Sequence, residues 1–150
     1  MSNKLASQSR RFYDVFAKLA RSYQHRDSNR AQYFGLSVSQ THVLEYLDTS
    51  GPLKMSELAQ KLVKTLSGAT RIVDPLVTKR LVRRRTDTAD RRICRVEITH
   101  KGQGLIEKTR GTLADEYRSV LSEIPASHRE SAILVVELML ERFEEREVFD

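Results

Sequence analysis

The stretch from Arg83 to Gly102, RRRTDTADRRICRVEITHKG, restricts the fold more than any other part of this 150-residue chain. Ile93, Arg95 and Glu97 alternate with Cys94, Val96 and Ile98, which is the period of a strand. LVRRR precedes them, and the Asp, Thr and Ala residues of TDTADRR supply a connection, so the pair reads as a β-hairpin. A two-stranded hairpin is marginal in water by itself, so the neighbouring segments must give it a floor. Six arginines surround the turn, and charge of one sign at that density repels itself unless something anionic lies against it.

The neighbours read as helices. Residues 5 to 24 carry Leu5, Phe12, Phe16, Leu19 and Tyr23 at helical steps, and the polar segment 25 to 32 is expected to break that helix. After Gly35, LSVSQTHVLEYLDTSG offers Ser37 or Ser39 as a cap, Val43, Leu44 and Leu47 as buried positions, and Gly51 with Pro52 as a stop. LKM at 53 to 55 allows one small strand. Ser56 then precedes ELAQKL, a compact helix with Leu58, Ala59 and Leu62 inward. Thr65 caps a further helix, about 66 to 80, with Ala69, Ile72, Val73 and Leu76 on its apolar side. From Thr99 a long helix carries Ile106, Leu113, Tyr117, Val120 and Leu121 and breaks around IPASHRE, where Pro125 suits a first turn and Ser122 or Ser127 a cap. A last helix bears Ile133, Val136, Leu140 and Phe143.

Composition agrees with one folded domain: 39% apolar and 31% charged residues. No window approaches an uninterrupted apolar span, and MSNKLASQSRRFYDVF lacks the apolar run of a secretion signal, so the chain reads as cytoplasmic with no membrane partner. Its single cysteine, Cys94, forms no internal disulfide. The net charge of +6 is regional: from Lys64 to Lys101 there are eleven Lys or Arg against four Asp or Glu, and elsewhere fifteen against sixteen. That concentration suits an anionic polymer.

Helix, helix, helix, hairpin is the order of a winged helix-turn-helix, here within a mostly α chain with a small β-hairpin. In that arrangement the second short helix enters the major groove, its first turns facing base edges. Those turns are TLSGATR. Ser67, Thr70 and Arg71 can hydrogen-bond to base edges, Leu66 can touch a thymine methyl, Gly68 keeps the approach close, Thr65 caps, and Lys64 can reach a phosphate. Arg91 and Arg92 fall near the hairpin tip, suited to the minor groove or to phosphates, with Arg83, Arg84, Arg85 and Arg95 on its stem. Asp90, a carboxylate that a phosphate would repel, reads as orienting a neighbouring arginine.

LSVSQTHVLEYL, MSELAQKLVKTLSGATRIVDPLVTKRLVRR and, most specifically, TDTADRRICRVEITHKG together resemble the MarR family of bacterial transcriptional regulators over the whole chain. The resemblance implies one domain over 1–150, with dimerisation segments at 1–30 and 122–150, a winged helix-turn-helix at about 36–100 and a connecting helix at 99–122. It implies a homodimer on pseudo-palindromic double-stranded DNA, acting as a repressor that a small aromatic or phenolic effector relieves. Scattered Asp and Glu, the lack of a glycine-rich phosphate loop and a lone Cys94 without a nearby histidine argue against an enzyme, and no cofactor is expected. The resemblance puts recognition positions on Leu66, Ser67, Thr70 and Arg71, and wing contacts on Arg91 and Arg92 with Asp90 as their internal partner. The effector cleft would draw on Tyr13, Phe16, Tyr23, Tyr33, Phe34, His42 and Tyr46, aromatics that equally suit a dimer core.

Two positions depart from the family pattern. Arg80 stands where a glycine usually closes the recognition helix, implying a different turn or mild strain, and Pro75 would kink that helix near Asp74 or end it early. The alternatives are an effector-independent regulator, an interaction protein that kept the fold without binding DNA, and a redox or metal sensor. Charge concentrated at the wing argues against lost DNA binding. The family's sensing cysteine lies near the first helix, where this chain has none, and His25, His42, His100 and His128 lack metal-ligand spacing, with Lys108 and Thr112 where fifth-helix partners would stand. No metal site is expected.

Overall fold

The computed structural model describes residues 2–86 and 93–145. Its elements are α1 (Ser2–Tyr33), α2 (Val38–Ser50), β1 (Leu53–Lys54), α3 (Met55–Lys61), α4 (Leu66–Thr78), β2 (Val82–Thr86), β3 (Cys94–Ile98), α5 (His100–Ser122) and α6 (Ala126–Glu145). The chain forms two compact units that divide within α5, between Thr109 and Arg110.

In the first unit, α1 runs unbroken to Tyr33, against the expected break at 25 to 32. That segment is polar but holds neither glycine nor proline. Arg30 donates to Asp27 one turn away, Asn29 meets His25 at 3.2 Å, and Ala31 is buried, so local pairs and one tertiary anchor carry the helix through. It stops at Gly35, whose φ of 68° lets Leu36 N donate to Ala31 O in a Schellman closure. Ser37 then opens α2 with a capping box: its hydroxyl accepts from Gln40 N, and its own amide donates to Gln40 Oε1. Gly51, φ 73°, ends it.

Helix α3 starts one residue before Ser56, at Met55, because Glu57 reaches back to accept from Lys54 N at 2.7 Å. It closes with Val63 at φ 51° and Lys64 N donating to Ala59 O. Thr65 caps α4 by accepting from Gly68 N at 3.1 Å. Pro75 lies inside α4, which continues to Thr78 instead of ending near Asp74. The proline sits on the exposed side, where solvent can satisfy the Arg71 carbonyl that loses its amide partner. Arg80, φ 59°, then takes the left-handed position of another Schellman closure, with Leu81 N donating to Leu76 O.

The sheet order is β1-β3-β2, all antiparallel. Leu53, Val82, Val96 and Ile98 face inward onto Val43, Leu44, Leu47, Leu58, Val73, Leu76 and Ile106, which form one core. Each fully buried leucine there contributes roughly 2 kcal/mol, which supplies the floor the hairpin needs. Thr99 opens α5 by accepting from Gly102 N. Gly102 is obligatory: a Cβ there would lie 2.2 Å from the Leu81 carbonyl oxygen and 2.7 Å from Ile98 Cγ1.

The second unit comprises the rest of α5 and α6. Neither Ser122 nor Ser127 caps α6; their hydroxyls bond to Ser119 O and His128 Nδ1. Pro125 stands just before α6, its carbonyl accepting from His128 N. Arg129 covers the free end of α5 by donating to Ile124 O at 3.0 Å and Ser122 O at 3.4 Å.

Candidate nucleic-acid interface

The amino-terminal turns of α4 are open to solvent. Lys64, Thr65, Leu66, Ser67 and Arg71 are exposed and Thr70 half-buried, while Ala69 and Val73 on the opposite side fix the helix to the core. The polar side chains are partly organised already: Thr65 Oγ1 lies 3.1 Å from Ser67 Oγ, and Thr70 Oγ1 donates to Leu66 O at 2.9 Å, which leaves its oxygen free to accept. Gly68 serves the cap as well as any close approach, since a Cβ there would meet Thr65 Oγ1 at 3.2 Å. Sequence reasoning misses Val63 in the preceding turn. It is 87% exposed in a left-handed conformation that β-branched residues avoid. No hydrophobic period could flag it.

The hairpin stem separates its arginines by strand parity. Arg84 shares the inward face with Val82 and Val96 but lies beyond the core, where it donates to Asp74 of α4 at 2.6 Å. Arg83, Arg85 and Arg95 occupy the outer face, where Arg83 pairs in register with Glu97 and Arg85 with Arg95. Glu97, its side chain 14% exposed, accepts from Arg83 and lies 3.8 Å from Arg85. Asp90, Arg91 and Arg92 lie outside the described residues.

The aromatic residues expected to line an effector cleft do not form one group. Phe16 stacks on Phe12 at 6.2 Å, Tyr33 meets Phe34 edge-on at 5.1 Å, and Tyr13, Tyr23 and Tyr33 are exposed along α1. His42 and Tyr46 do come together, rings 6.4 Å apart, with the Lys61 ammonium 5.3 Å from the Tyr46 ring and Asp27 4.0 Å from His42. Lys61 and Asp27 carry no sequence signal for this place, since their proximity depends on how three helices pack. A separate shallow concavity of about 320 Å³ is lined by Leu81, His100, Lys101, Gly104, Leu105 and Lys108. Among the described residues no helix is long and apolar enough to cross a membrane, and no three His, Cys, Asp or Glu side chains gather as a metal site would need.

A capped helix showing polar turns to solvent, seated beside an arginine-rich antiparallel wing, defines a winged helix-turn-helix protein of the DNA-binding class. The MarR family profile matches residues 36–94. The uncharacterized HTH-type transcriptional regulator YfiV of Bacillus subtilis (strain 168) is 31% identical over 110 residues, covering 71% of this chain and 69% of its own. MhqR, an HTH-type transcriptional regulator of the same organism, is 29% identical over 122 residues, covering 79% and 84%. A mutant of S. aureus MepR bound to oligodeoxyribonucleotide shares the fold with a TM-score of 0.68 at 19% identity, over 88% of this chain and 97% of that one. The chain belongs to the MarR family of transcriptional regulators.

Proposed function

We propose that the chain acts as a homodimer that reads a pseudo-palindromic operator in double-stranded DNA and represses from it until a small aromatic or phenolic effector lowers its affinity. The observation that carries this reading is the exposed first turn of α4, with Lys64, Leu66, Ser67 and Arg71 open to solvent beside a stem rich in arginine. Arg71, Ser67 and Thr70 serve base edges, Leu66 a thymine methyl, and Lys64 a phosphate. Arg91 and Arg92 enter the minor groove or clamp phosphates, with Asp90 orienting them. Arg84 holds the wing to α4 through Asp74. That a protein of the same fold, MepR, has been described bound to an oligodeoxyribonucleotide supports the assignment.

Dimerisation through segments 1–30 and 122–150 is supported by the apolar surface on each end. Phe12, Phe16, Leu19 and Tyr23 of α1, and Ile133, Val136, Leu140 and Phe143 of α6, are 40% or more exposed. Contiguous apolar surface of that kind marks an interaction site. Two reading helices about 34 Å apart would meet successive major grooves. For the effector, the His42, Tyr46 and Lys61 group combines aromatic faces with a cation, suited to a phenolic ring with a polar substituent.

Fluorescence anisotropy with the DNA upstream of the chain's own gene and an unrelated duplex tests the reading. We expect preference for the upstream DNA, a loss of about 1–3 kcal/mol of that preference in Arg71→Ala, and weaker binding to both duplexes in Arg92→Ala. Equal, weak binding to both duplexes by the unaltered protein would overturn it.

A further inference from the structure

Among the described residues, positive φ occurs at Gly35, Gly51, Val63 and Arg80. The glycines adopt it without steric cost, and arginine is unbranched at Cβ. Val63 alone is β-branched, the residue class for which positive φ is a true outlier. The turn that holds it there is a Schellman closure of α3, in which Val63 N donates to Gln60 O at 3.0 Å and Lys64 N to Ala59 O at 2.9 Å. Glycine would make the same bonds at lower cost. Packing does not explain the valine either, because it is 87% exposed and stands outside the core. A strained residue whose side chain serves neither its own turn nor the core points to a partner outside the chain.

The neighbouring residues identify that partner. Val63 precedes Lys64, the capping Thr65 and Leu66, which is 57% exposed, so two apolar side chains flank the cap of the helix that carries Ser67 and Arg71. Phosphates offer nothing to an isopropyl group, whereas a major groove carries one apolar feature, the C5-methyl of thymine. Resting on the DNA-binding reading above, we infer that Val63 is a further specificity-determining residue, whose isopropyl group meets a thymine methyl beside the bases that α4 reads. The contact favours thymine over cytosine, which presents an amine and no methyl there. Two backbone bonds fix the turn and branching at Cβ restricts χ1, so the group meets the base with little freedom left to lose. The backbone strain is stability given up for that reading.

Anisotropy titrations test this with the upstream duplex, with copies in which its thymines are replaced in turn by deoxyuridine, and with an unrelated duplex. Deoxyuridine lacks only the methyl group. At one thymine the replacement should weaken the unaltered protein about fourfold per contact, the worth of one buried carbon, and should leave Val63→Gly unaffected. On the unmodified upstream duplex Val63→Gly should itself lose about fourfold per contact, with no loss on the unrelated duplex. Val63→Ile should keep the response to that methyl, and Val63→Asn, which accepts left-handed backbone, should lose it. Leu66→Ala should still respond at that thymine, which separates the two residues. Because glycine relieves the strain, Val63→Gly should melt above the unaltered chain, so its weaker binding would not arise from lost folding. An equal loss on both duplexes would overturn the inference in favour of a sequence-independent contact with the sugar. Unchanged affinity of Val63→Gly for the upstream duplex, or a deoxyuridine series in which no position couples to Val63, would overturn it as well. Failure of the unaltered protein to prefer the upstream duplex would overturn it together with the DNA-binding reading.

Discussion

Arg84 of β2 donates to Asp74 of α4 across 2.6 Å, joining the wing to the recognition helix through side chains that are 37% and 53% exposed. Exposed pairs of this kind stabilise weakly, so the contact matters more for where the wing sits than for whether the chain folds. A double-mutant cycle with Asp74→Ala and Arg84→Ala in urea unfolding should return a coupling of about 0.5 kcal/mol. In operator titrations the double variant should lose no more affinity than the weaker-binding single variant, since both act through one contact; additive losses would show that they act separately.

Gly102 and Gly104 lie two residues apart on α5 and should respond to alanine in opposite directions. A Cβ at Gly102 meets backbone at 2.2 Å, whereas one at Gly104 meets nothing within 4 Å. Gly102→Ala should cost about 3 kcal/mol through overpacking against a carbonyl that cannot yield. Gly104→Ala should gain about 0.5–1 kcal/mol from the lower entropy of the unfolded chain and better helix propensity. Denaturant midpoints at constant m-value would read both.

Val63 and Arg80 hold left-handed backbone at φ 51° and 59°, one at each end of α4. Glycine removes the steric cost of that conformation, which is of order 1–3 kcal/mol, and gives part of it back as unfolded-chain entropy. Val63→Gly should therefore stabilise by about 1 kcal/mol, with Arg80→Gly gaining less because valine is branched at Cβ. For a chain of this size the gain corresponds to a rise of about 2–4 °C in Tm, which calorimetry would record.

Val136 and Leu140 of α6 are 63% and 58% exposed in the single chain. If these faces are covered by a second copy, Val136→Glu with Leu140→Glu should halve the mass seen by sedimentation and weaken operator binding by at least tenfold, about 1.4 kcal/mol. A dimer persisting in the double variant at micromolar concentration would exclude this face from the contact.

Much of the fold is legible in the sequence because local signals and global packing agree. Ser37 and Thr65 cap where a hydroxyl precedes an apolar period, Gly51 stops α2, and Val43, Leu44, Leu47, Leu58, Val73 and Leu76 are buried as their spacing requires. The departures have separate causes. Residues 25 to 32 read as a break because their composition is polar, but the Asp27 and Arg30 pair and the buried Ala31 maintain the helix, and only the last of these is a tertiary effect. Pro75 reads as a terminator only until its exposure is known. At the candidate site, the cap and the solvent-facing side of the first turns of α4 can be read directly, and strand parity in principle separates Arg84 from Arg83 and Arg85. The aromatics expected at a cleft scatter because residue type says nothing of which side of a helix meets its neighbour.

The carboxyl end of α4 is bonded on several sides. Lys101 Nζ donates to Lys79 O at 2.9 Å, Thr99 Oγ1 reaches Arg80 O at 2.8 Å, Thr99 N donates to Leu81 O at 3.0 Å, and Lys79 Nζ donates to Gly35 O beyond α1. Mechanically this end is a pivot, and the opposite end, which carries Ser67 and Arg71, is the tip of a lever. A 13-residue helix is about 20 Å long, so a tilt of about 10° imposed at the pivot sweeps the tip through roughly 3 Å, the length of one hydrogen bond. A rotation of α5 at its first turn that imposes this tilt would thus displace Ser67 and Arg71 by about the length of one hydrogen bond, without any part of α4 having to unfold.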